Sequence, residues 1–387
     1  MATKTDFKKR GSDYALLDGQ PTIEPEYFHS PEIYRAELDK VFCGRWLLAC
    51  REEEVAKPGD YHLVPVGDES IILVRGKDGE LRAHFNVCRH RGTRLCVEPK
   101  GCFANAKIRC PYHAWSYGLD GRLEAAPLMD EMPSFKLEEH PLYAAAVRVW
   151  EGFVFLNLSE KPGPFEAEMG ALNAERFGKW HLKDLRIAHK IEYDLKCNWK
   201  IVLHNYQECY HCPGVHPRLS RITHFRGAAH DCMEGSVIGG YMTMEAGKGG
   251  MTMDGAPAGP PLGDIRGEDL KRVYYYSVFP NLLLSPHPDF VIYHRIRPVA
   301  VDHTLLDCHW LLAPETIADP KKMERFKSAV EFWDITNRED WQVCEQMQQG
   351  TASRRFRRGT YSGQEDVLAA LDKEFAKAVG RRPAGKA

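Results

Sequence analysis

Cys88-Arg89-His90-Arg91-Gly92 and Cys110-Pro111-Tyr112-His113 are the stretches that decide the fold, and nineteen residues separate His90 from Cys110. Each pairs one cysteine with one histidine, as Cys-x-His and Cys-x-x-His. Two thiolates and two imidazoles alternating along a chain suit an iron pair in which one iron takes both cysteines and the other both histidines. That is the Rieske ligation of a [2Fe–2S] cluster. Structural zinc is the rival for a Cys2His2 set. A zinc site usually gathers its cysteines in one loop and its histidines in the other, whereas here each loop carries one of each. Turn residues accompany both pairs: Arg91-Gly92 follows the first, and Pro111 lies inside the second.

The rest of the chain has the bulk properties of a cytoplasmic enzyme. Its 387 residues suffice for two domains with full cores. A net charge of −2 implies neither a nucleic acid nor an anionic membrane as partner. The basic run Arg354-Arg355-Phe356-Arg357-Arg358 reads as solvated surface, with a docking patch for an acidic protein as the alternative. Met1 to Gly11 is polar and charged, so no secretory leader is expected, and no apolar run reaches membrane-spanning length. Reduced thiols are therefore the expectation for Cys43, Cys50, Cys96, Cys102, Cys197, Cys232 and Cys308.

The expected fold class is α+β. Residues 1–43 form a helical N-terminal segment, clearest at Pro31–Leu38, expected to pack on the catalytic domain. Residues 44–160 form a small all-β domain whose loop tips carry the Cys/His pairs. Asp60–Val66 and Ser70–Arg75 are rich in β-branched residues, and Val147–Trp150 with Phe153–Leu158 reads as a hairpin around Glu151-Gly152. Pro162-Gly163-Pro164 marks a linker. Residues 165–387 form a second domain: a strand at Arg186–Leu195, a helix at Trp199–Cys212, strands between Val273 and Leu312, and a long helix at Lys321–Gln348. The breaker-rich run 247–263 reads as a mobile loop. No Gly-x-Gly-x-x-Gly is present, so no nucleotide-binding domain is evident.

A second metal site is legible there. His211 and His216 straddle Pro213-Gly214, and Glu208, three before His211, shares a helix face with it. A non-haem ferrous site that activates O2 needs two imidazoles, one carboxylate and open positions; a solvated helix end plus a core histidine is the plainer alternative. In the long helix, positions 323, 326, 330, 333, 337, 340, 344 and 347 form the apolar stripe. Asp340 lies on it and needs a partner, a metal or a buried Arg or Lys. Asp334 and Glu339 are expected to face outward or sideways.

These motifs resemble the catalytic (α) subunit of the Rieske non-haem iron oxygenases. The resemblance runs from Trp46 to about Gly363. It rests on the Cys88/His90/Cys110/His113 finger, the Cys-Pro-Tyr-His-x-Trp run ending at Trp115, the Asn198-Trp199-Lys200 opening, and His211, His216 and Asp340. It implies a catalytic domain with an antiparallel sheet capped by helices, of helix-grip or START-like form. It also implies a Rieske [2Fe–2S] cluster, a mononuclear Fe(II), and a homotrimer in which one subunit's cluster lies near its neighbour's iron. A bridging acid joins the two centres, and the matching residue is Glu208. The aromatic-ring dioxygenases have Asp at that place. Glu208, within Asn205-Tyr206-x-Glu208-Cys209-Tyr210-His211-Cys212, is similar to the branch acting on quaternary ammonium compounds: glycine betaine, stachydrine, carnitine and choline.

The resemblance implies that O2 and electrons from a separate NAD(P)H reductase, a flavin and iron–sulfur protein, hydroxylate an N-methyl group, with loss of formaldehyde. Asn205 belongs to the same set of site residues. A cationic substrate is held by aromatic faces, each contributing on the order of 0.5–2 kcal/mol; Tyr206, Tyr274, Tyr276, Phe290, Tyr293 and Trp310 are the candidates. Two alternatives stay open: a Rieske oxygenase acting on an aromatic or other neutral substrate, and a non-catalytic electron-transfer Rieske protein.

Overall fold

The computed structural model describes residues 19–233 and 235–380, so the start of the N-terminal segment, including Met1–Gly11, lies outside the described residues. The chain divides into two compact units, Phe42–Pro164 and a second made of the chain up to Val41 together with Phe165 onward.

The first unit is all-β apart from short single-turn helices. Its main sheet contains β1 (Leu47–Arg51), β2 (Asp60–Val66), β3 (Glu69–Arg75), β4 (Leu81–Phe85), β5 (Lys100–Cys102), β9 (Ala144–Trp150) and β10 (Phe153–Asn157). The order is β1-β10-β9-β4-β3-β2-β5, and every pairing is antiparallel. The β9–β10 hairpin closes Trp150 against Phe153, and its two turn residues, Glu151 and Gly152, have φ of 47° and 75°. Two consecutive left-handed residues give the turn that matches the twist of the flanking strands. A three-stranded sheet, β6 (Lys107–Arg109), β7 (Ser116–Gly118) and β8 (Leu123–Ala125), carries the second Cys/His loop between β6 and β7.

The second unit is built on a seven-stranded antiparallel sheet: β11 (Arg186–Leu195), β12 (Thr223–Cys232), β13 (Val237–Met244), β14 (Arg272–Val278), β15 (Leu282–Pro286), β16 (Val291–Ala300) and β17 (His303–Leu312). Its order is β11-β17-β16-β15-β14-β13-β12. Four helices matter for the site: α1 (Pro31–Glu37), α2 (Trp199–Gln207), α3 (Pro320–Thr351) and α4 (Asp366–Val379). Helix α2 packs on α3, α4, β14 and β16, which puts its C-terminus beside the sheet and the long helix.

The Asn198-Trp199-Lys200 motif is the anchor of that arrangement. Asn198 caps α2, its side-chain oxygen accepting from the Lys200 N–H. Trp199 Nε1 donates to Glu37 Oε2 at 2.9 Å, and Lys200 Nζ lies 2.7 Å from Glu37 Oε1. Lys200 and Glu37 are fully buried, so losing either leaves an uncompensated charge in the core. The N-terminal segment is thereby tied to the helix that leads into the site.

The run 247–263 is packed rather than loose. Met251 and Thr252 are buried, Arg325 binds Asp254, and the Asp289 carboxylate accepts from the N–H groups of Ala258 and Gly259. Glycine and proline shape this loop; the buried anchors hold it. Among the described residues, no helix is long and apolar enough to cross a membrane.

Candidate metal centres and substrate cavity

The two Cys/His loops close in the same way. Cys88 N–H donates to Thr93 C=O and Gly92 N–H to Cys88 C=O; Cys110 N–H donates to Trp115 C=O and Ala114 N–H to Cys110 C=O. Each loop therefore spans the same number of residues, and each has a left-handed residue at its fifth position, Gly92 (φ 74°) and Ala114 (φ 60°). The result is a pair of matching fingers. Cys88 and Cys110 are buried together under the tip, Cys88 Sγ 3.4 Å from the Tyr117 hydroxyl. Burial pushes the Cys88 thiol up, and the neighbouring Tyr117 hydroxyl opposes this. His90 and His113 stand at the exposed end with ring centroids 4.7 Å apart, and His90 stacks on Trp115 at 4.9 Å. Thiols inside and imidazoles outside fit a cluster with one cysteine-bound and one histidine-bound iron.

The second centre forms where α2 ends. Sequence periodicity extends that helix to Cys212, but it stops at Gln207, and Glu208 is extended (φ −132°, ψ 156°). The break is stabilised locally: the Glu208 carboxylate accepts from the N–H groups of Tyr210 and His211. Glu208 and His211 thus meet across a turn rather than along a helix face, with Oε1 2.5 Å from His211 Nδ1. A short turn of helix, Cys212–Val215, follows and delivers His216.

Three donors converge from these elements. His211 Nε2 and His216 Nε2 are 3.1 Å apart, and Asp340 Oδ1 lies 3.2 Å from the first and 2.8 Å from the second. Ligands at right angles on one ion, with bonds of about 2.1 Å, sit about 3 Å from one another. The spacing therefore fits a facial triad with its other positions open. Among the described residues no buried Lys or Arg pairs with Asp340; Asn205 Nδ2 donates to its Oδ1 at 3.0 Å. Burial works against ionisation of these groups, but the acids prevail: Asp340 and Glu208 raise His211 to about 10, and the two histidines hold Asp340 down at about 2. Cys212 Sγ also lies close to both imidazoles, but its sulfur is bonded to Cys209.

Glu339 corrects the helical-wheel expectation. It points into the site, its Oε2 2.8 Å from His216 Nδ1. The buried face of α3 includes Phe332, Trp333, Thr336, Asn337 and Trp341, so it is centred beside the 3-4 stripe, and 339 falls at its edge together with 340.

A cavity opens on the triad. Of the aromatics expected to line it, only Tyr206 does. Tyr274 and Tyr276 lie on the far face of β14, against Trp180 and Phe177; Tyr275, between them in a strand whose side chains alternate, faces the cavity. Tyr293 stacks on His309 at 4.4 Å, Trp310 packs on His189, and Phe290 stacks on His287. The aromatic walls are instead Tyr206, Phe225, Tyr241, Tyr275, Trp333 and Trp341. Trp333 was already visible on the Asp340 stripe, two helical turns earlier, where it reads as core. Among the described residues lining the cavity there is no Lys or Arg, while Glu208, Asp340 and Asp366 all reach it.

Comparison with known proteins agrees with this geometry. Residues 45–136 match the Rieske [2Fe-2S] domain, and residues 182–381 match the catalytic domain of the ring hydroxylating alpha subunit. The chain belongs to the Rieske non-haem iron oxygenases. Its relatives include the glycine betaine monooxygenase oxygenase subunit of Chromohalobacter salexigens, 30% identical over 93% of this chain and 84% of that protein. The carnitine monooxygenase oxygenase subunit of Escherichia coli K12 is 29% identical over 87% of this chain and 86% of that one. The structure of a quaternary ammonium Rieske monooxygenase superposes with a TM-score of 0.78 at 26% identity, covering 92% of this chain and 94% of that chain. Naphthalene 1,2-dioxygenase, at 19% identity and a TM-score of 0.74, covering 94% of this chain and 93% of that one, shares the fold. This Rieske oxygenase is accordingly an oxidoreductase, and its cofactors are the [2Fe–2S] cluster and a mononuclear iron.

Proposed function

We propose that this Rieske oxygenase is the oxygenase component of a monooxygenase that hydroxylates an N-methyl group of a quaternary ammonium compound. The observation that carries this reading is the wall beside the triad. Tyr206 and Tyr275 meet at 74° with centroids 5.9 Å apart, and Tyr275 and Trp333 meet at 63° and 6.5 Å, as adjoining faces of one corner. Aromatic faces attract a fixed cation, and no Lys or Arg among the described residues lining the cavity opposes that charge. The names of the relatives point the same way.

Cys88, Cys110, His90 and His113 hold the cluster, and His211, His216 and Asp340 hold the mononuclear iron. The iron, when bound, supplies O2 activation. The chain's own residues do the rest. Asn205 and Asp340 are hydrogen-bonded, which fixes the carboxylate. Glu208 holds His211 by Nδ1, leaving Nε2 for the metal, and carries the electron path from the cluster of a neighbouring subunit in a trimer. The aromatic corner orients one methyl group toward the triad. Insertion of one oxygen atom into its C–H bond gives a carbinolamine; its C–N bond then breaks, releasing formaldehyde and the demethylated amine. The second oxygen atom leaves as water, with two electrons from NAD(P)H delivered through a separate flavin and iron–sulfur reductase.

The test is substrate-dependent NAD(P)H consumption with a cognate reductase, scored by formaldehyde release over a panel of betaines and aromatics. Turnover of a betaine but not of its uncharged tert-butyl analogue supports the reading; equal turnover of the two sinks it.

A further inference from the structure

His294 is a buried titratable side chain at the cavity that neither the triad nor its hydrogen-bonded supports use. It lies on β16, its ring edge-on to Tyr206 (6.2 Å, 71°) and to Trp341 (6.1 Å, 85°). It is 3% exposed, and neither ring nitrogen has a hydrogen-bond partner. Burial pushes its pKa down to about 4, although Asp340 and the nearby Asn337 side chain favour the charged form. At neutral pH it is therefore an uncharged imidazole, with one N–H to donate and one nitrogen to accept. Asn337 Nδ2 reaches the Tyr193 hydroxyl and Cys308 Sγ, which leaves its carbonyl oxygen as the part that favours the charged ring. A buried imidazole with neither nitrogen at hydrogen-bonding distance of a partner among the described residues is costly, and this ring lines the cavity.

We propose that His294 is the specificity-determining residue for the end of the substrate remote from the onium group, holding a hydroxyl or carboxylate oxygen by its ring N–H. This rests on the quaternary ammonium reading above. Tyr206 sets the scale, because the same ring borders both the aromatic corner, through Tyr275, and His294. Onium and oxygen subsites therefore adjoin, and the substrate class is a compact amine bearing its oxygen a few bonds from nitrogen. With no lining Lys or Arg among the described residues, an oxygen there is recognised by hydrogen bonding and not by a full opposite charge.

Equilibrium binding to the intact iron-loaded protein tests this, with choline, glycine betaine and tetramethylammonium as probes and wild type, His294→Leu and His294→Asn compared. The oxygen-bearing probe that wild type prefers should lose about ten- to a hundredfold in Kd with His294→Leu, the range of one buried hydrogen bond. Its KM should rise more than its kcat falls. Tetramethylammonium should bind within about twofold of wild type, and His294→Asn, which keeps a donor, should recover part of the loss. His294→Phe preserves the aromatic packing and carries the same expectation if the Leu variant does not fold. Equal weakening of all three probes, or of none, overturns the assignment while the substrate class stands. Wild type that binds none of the three overturns both.

Discussion

Glu339 Oε2 lies 2.8 Å from Nδ1 of His216, while Asp340 Oδ1 lies 2.8 Å from Nε2 of the same ring. Neighbouring acids thus address the two nitrogens of one imidazole, Glu339 from the outer side and Asp340 from the side of the proposed iron. His211 has the matching support in Glu208. Outer partners of this kind usually change metal affinity or activity by about 10–100-fold. Glu339→Ala should weaken mononuclear iron binding by that order, and Glu339→Gln, which still offers an acceptor, by less. Iron retention against a chelator measures it, with the cluster's visible absorption unchanged in both variants.

Removing a ligand should act more severely. His211→Ala, His216→Ala and Asp340→Ala are each expected to lose the mononuclear iron and keep the cluster, taking iron from about three per chain to about two. Metal and sulfide analysis of anaerobically purified protein checks this. Zinc without sulfide in the wild type would mean that the Cys88/His90/Cys110/His113 site is not a cluster.

Glu208 is expected to behave differently from Asp340 because it touches a ligand and not the metal position. Glu208→Gln keeps the shape, so both metals should stay bound while coupled turnover collapses. Glu208→Asp shortens the arm by one methylene, roughly 1.5 Å, enough to break a hydrogen bond whose useful range is about 2.5–3.2 Å. The Glu208 carboxylate also accepts from the Tyr210 and His211 N–H groups, so the shorter side chain cannot keep these bonds and reach His211 Nδ1 together. Single-turnover cluster oxidation, with iron occupancy measured on the same samples, separates the roles. Full iron loss in Glu208→Gln with retention in Asp340→Ala would exchange them.

The candidate metal-binding residues were legible because their chemistry is local: Cys-x-His, Cys-x-x-His and His211/His216 each fit within a few residues, and Asp340 follows from helix phase. The cavity walls were not, because they depend on which face of a strand points inward. Tyr274, Tyr275 and Tyr276 are chemically identical neighbours, and only the sheet's packing chooses Tyr275. Trp333 and Trp341 look like core in a stripe, since a cavity wall and a core face are both apolar. Glu208 does meet His211, but the helix invoked to bring them together ends one residue before it.

The same distinction predicts a contrast in binding. Trp333→Ala removes a cavity wall and should raise KM for a quaternary ammonium substrate by about tenfold, the worth of one desolvated cation–π contact. Tyr274→Phe changes the opposite face of β14, where the hydroxyl binds Asp269, and should leave KM unchanged. Steady-state kinetics of the two variants side by side decides between the two faces.

Acid should destabilise the second unit through histidines buried in neutral form. Burial pushes His287 and His309 down to about 3 and His294 to about 4. Above pH 6.5 both folded and unfolded chains leave these rings largely uncharged, so they add no pH dependence. Below it, the unfolded chain takes up protons that the folded chain refuses, down to the folded pKa values. Stability therefore falls with acidification across about pH 6.5 to 4, each ring contributing up to about 1.4 kcal/mol per pH unit. His211 and His216 protonate with iron loss in acid as well, so the informative quantity is a difference between variants. His287 has no hydrogen bond from either ring nitrogen and stacks on Phe290 at 4.2 Å, so His287→Phe fits the site without a proton to refuse. Its thermal midpoint should drop less between pH 7 and pH 5 than that of wild type, by about a third of the contribution from the three rings. Parallel pH profiles for the two proteins would mean that His287 takes up its proton within the fold.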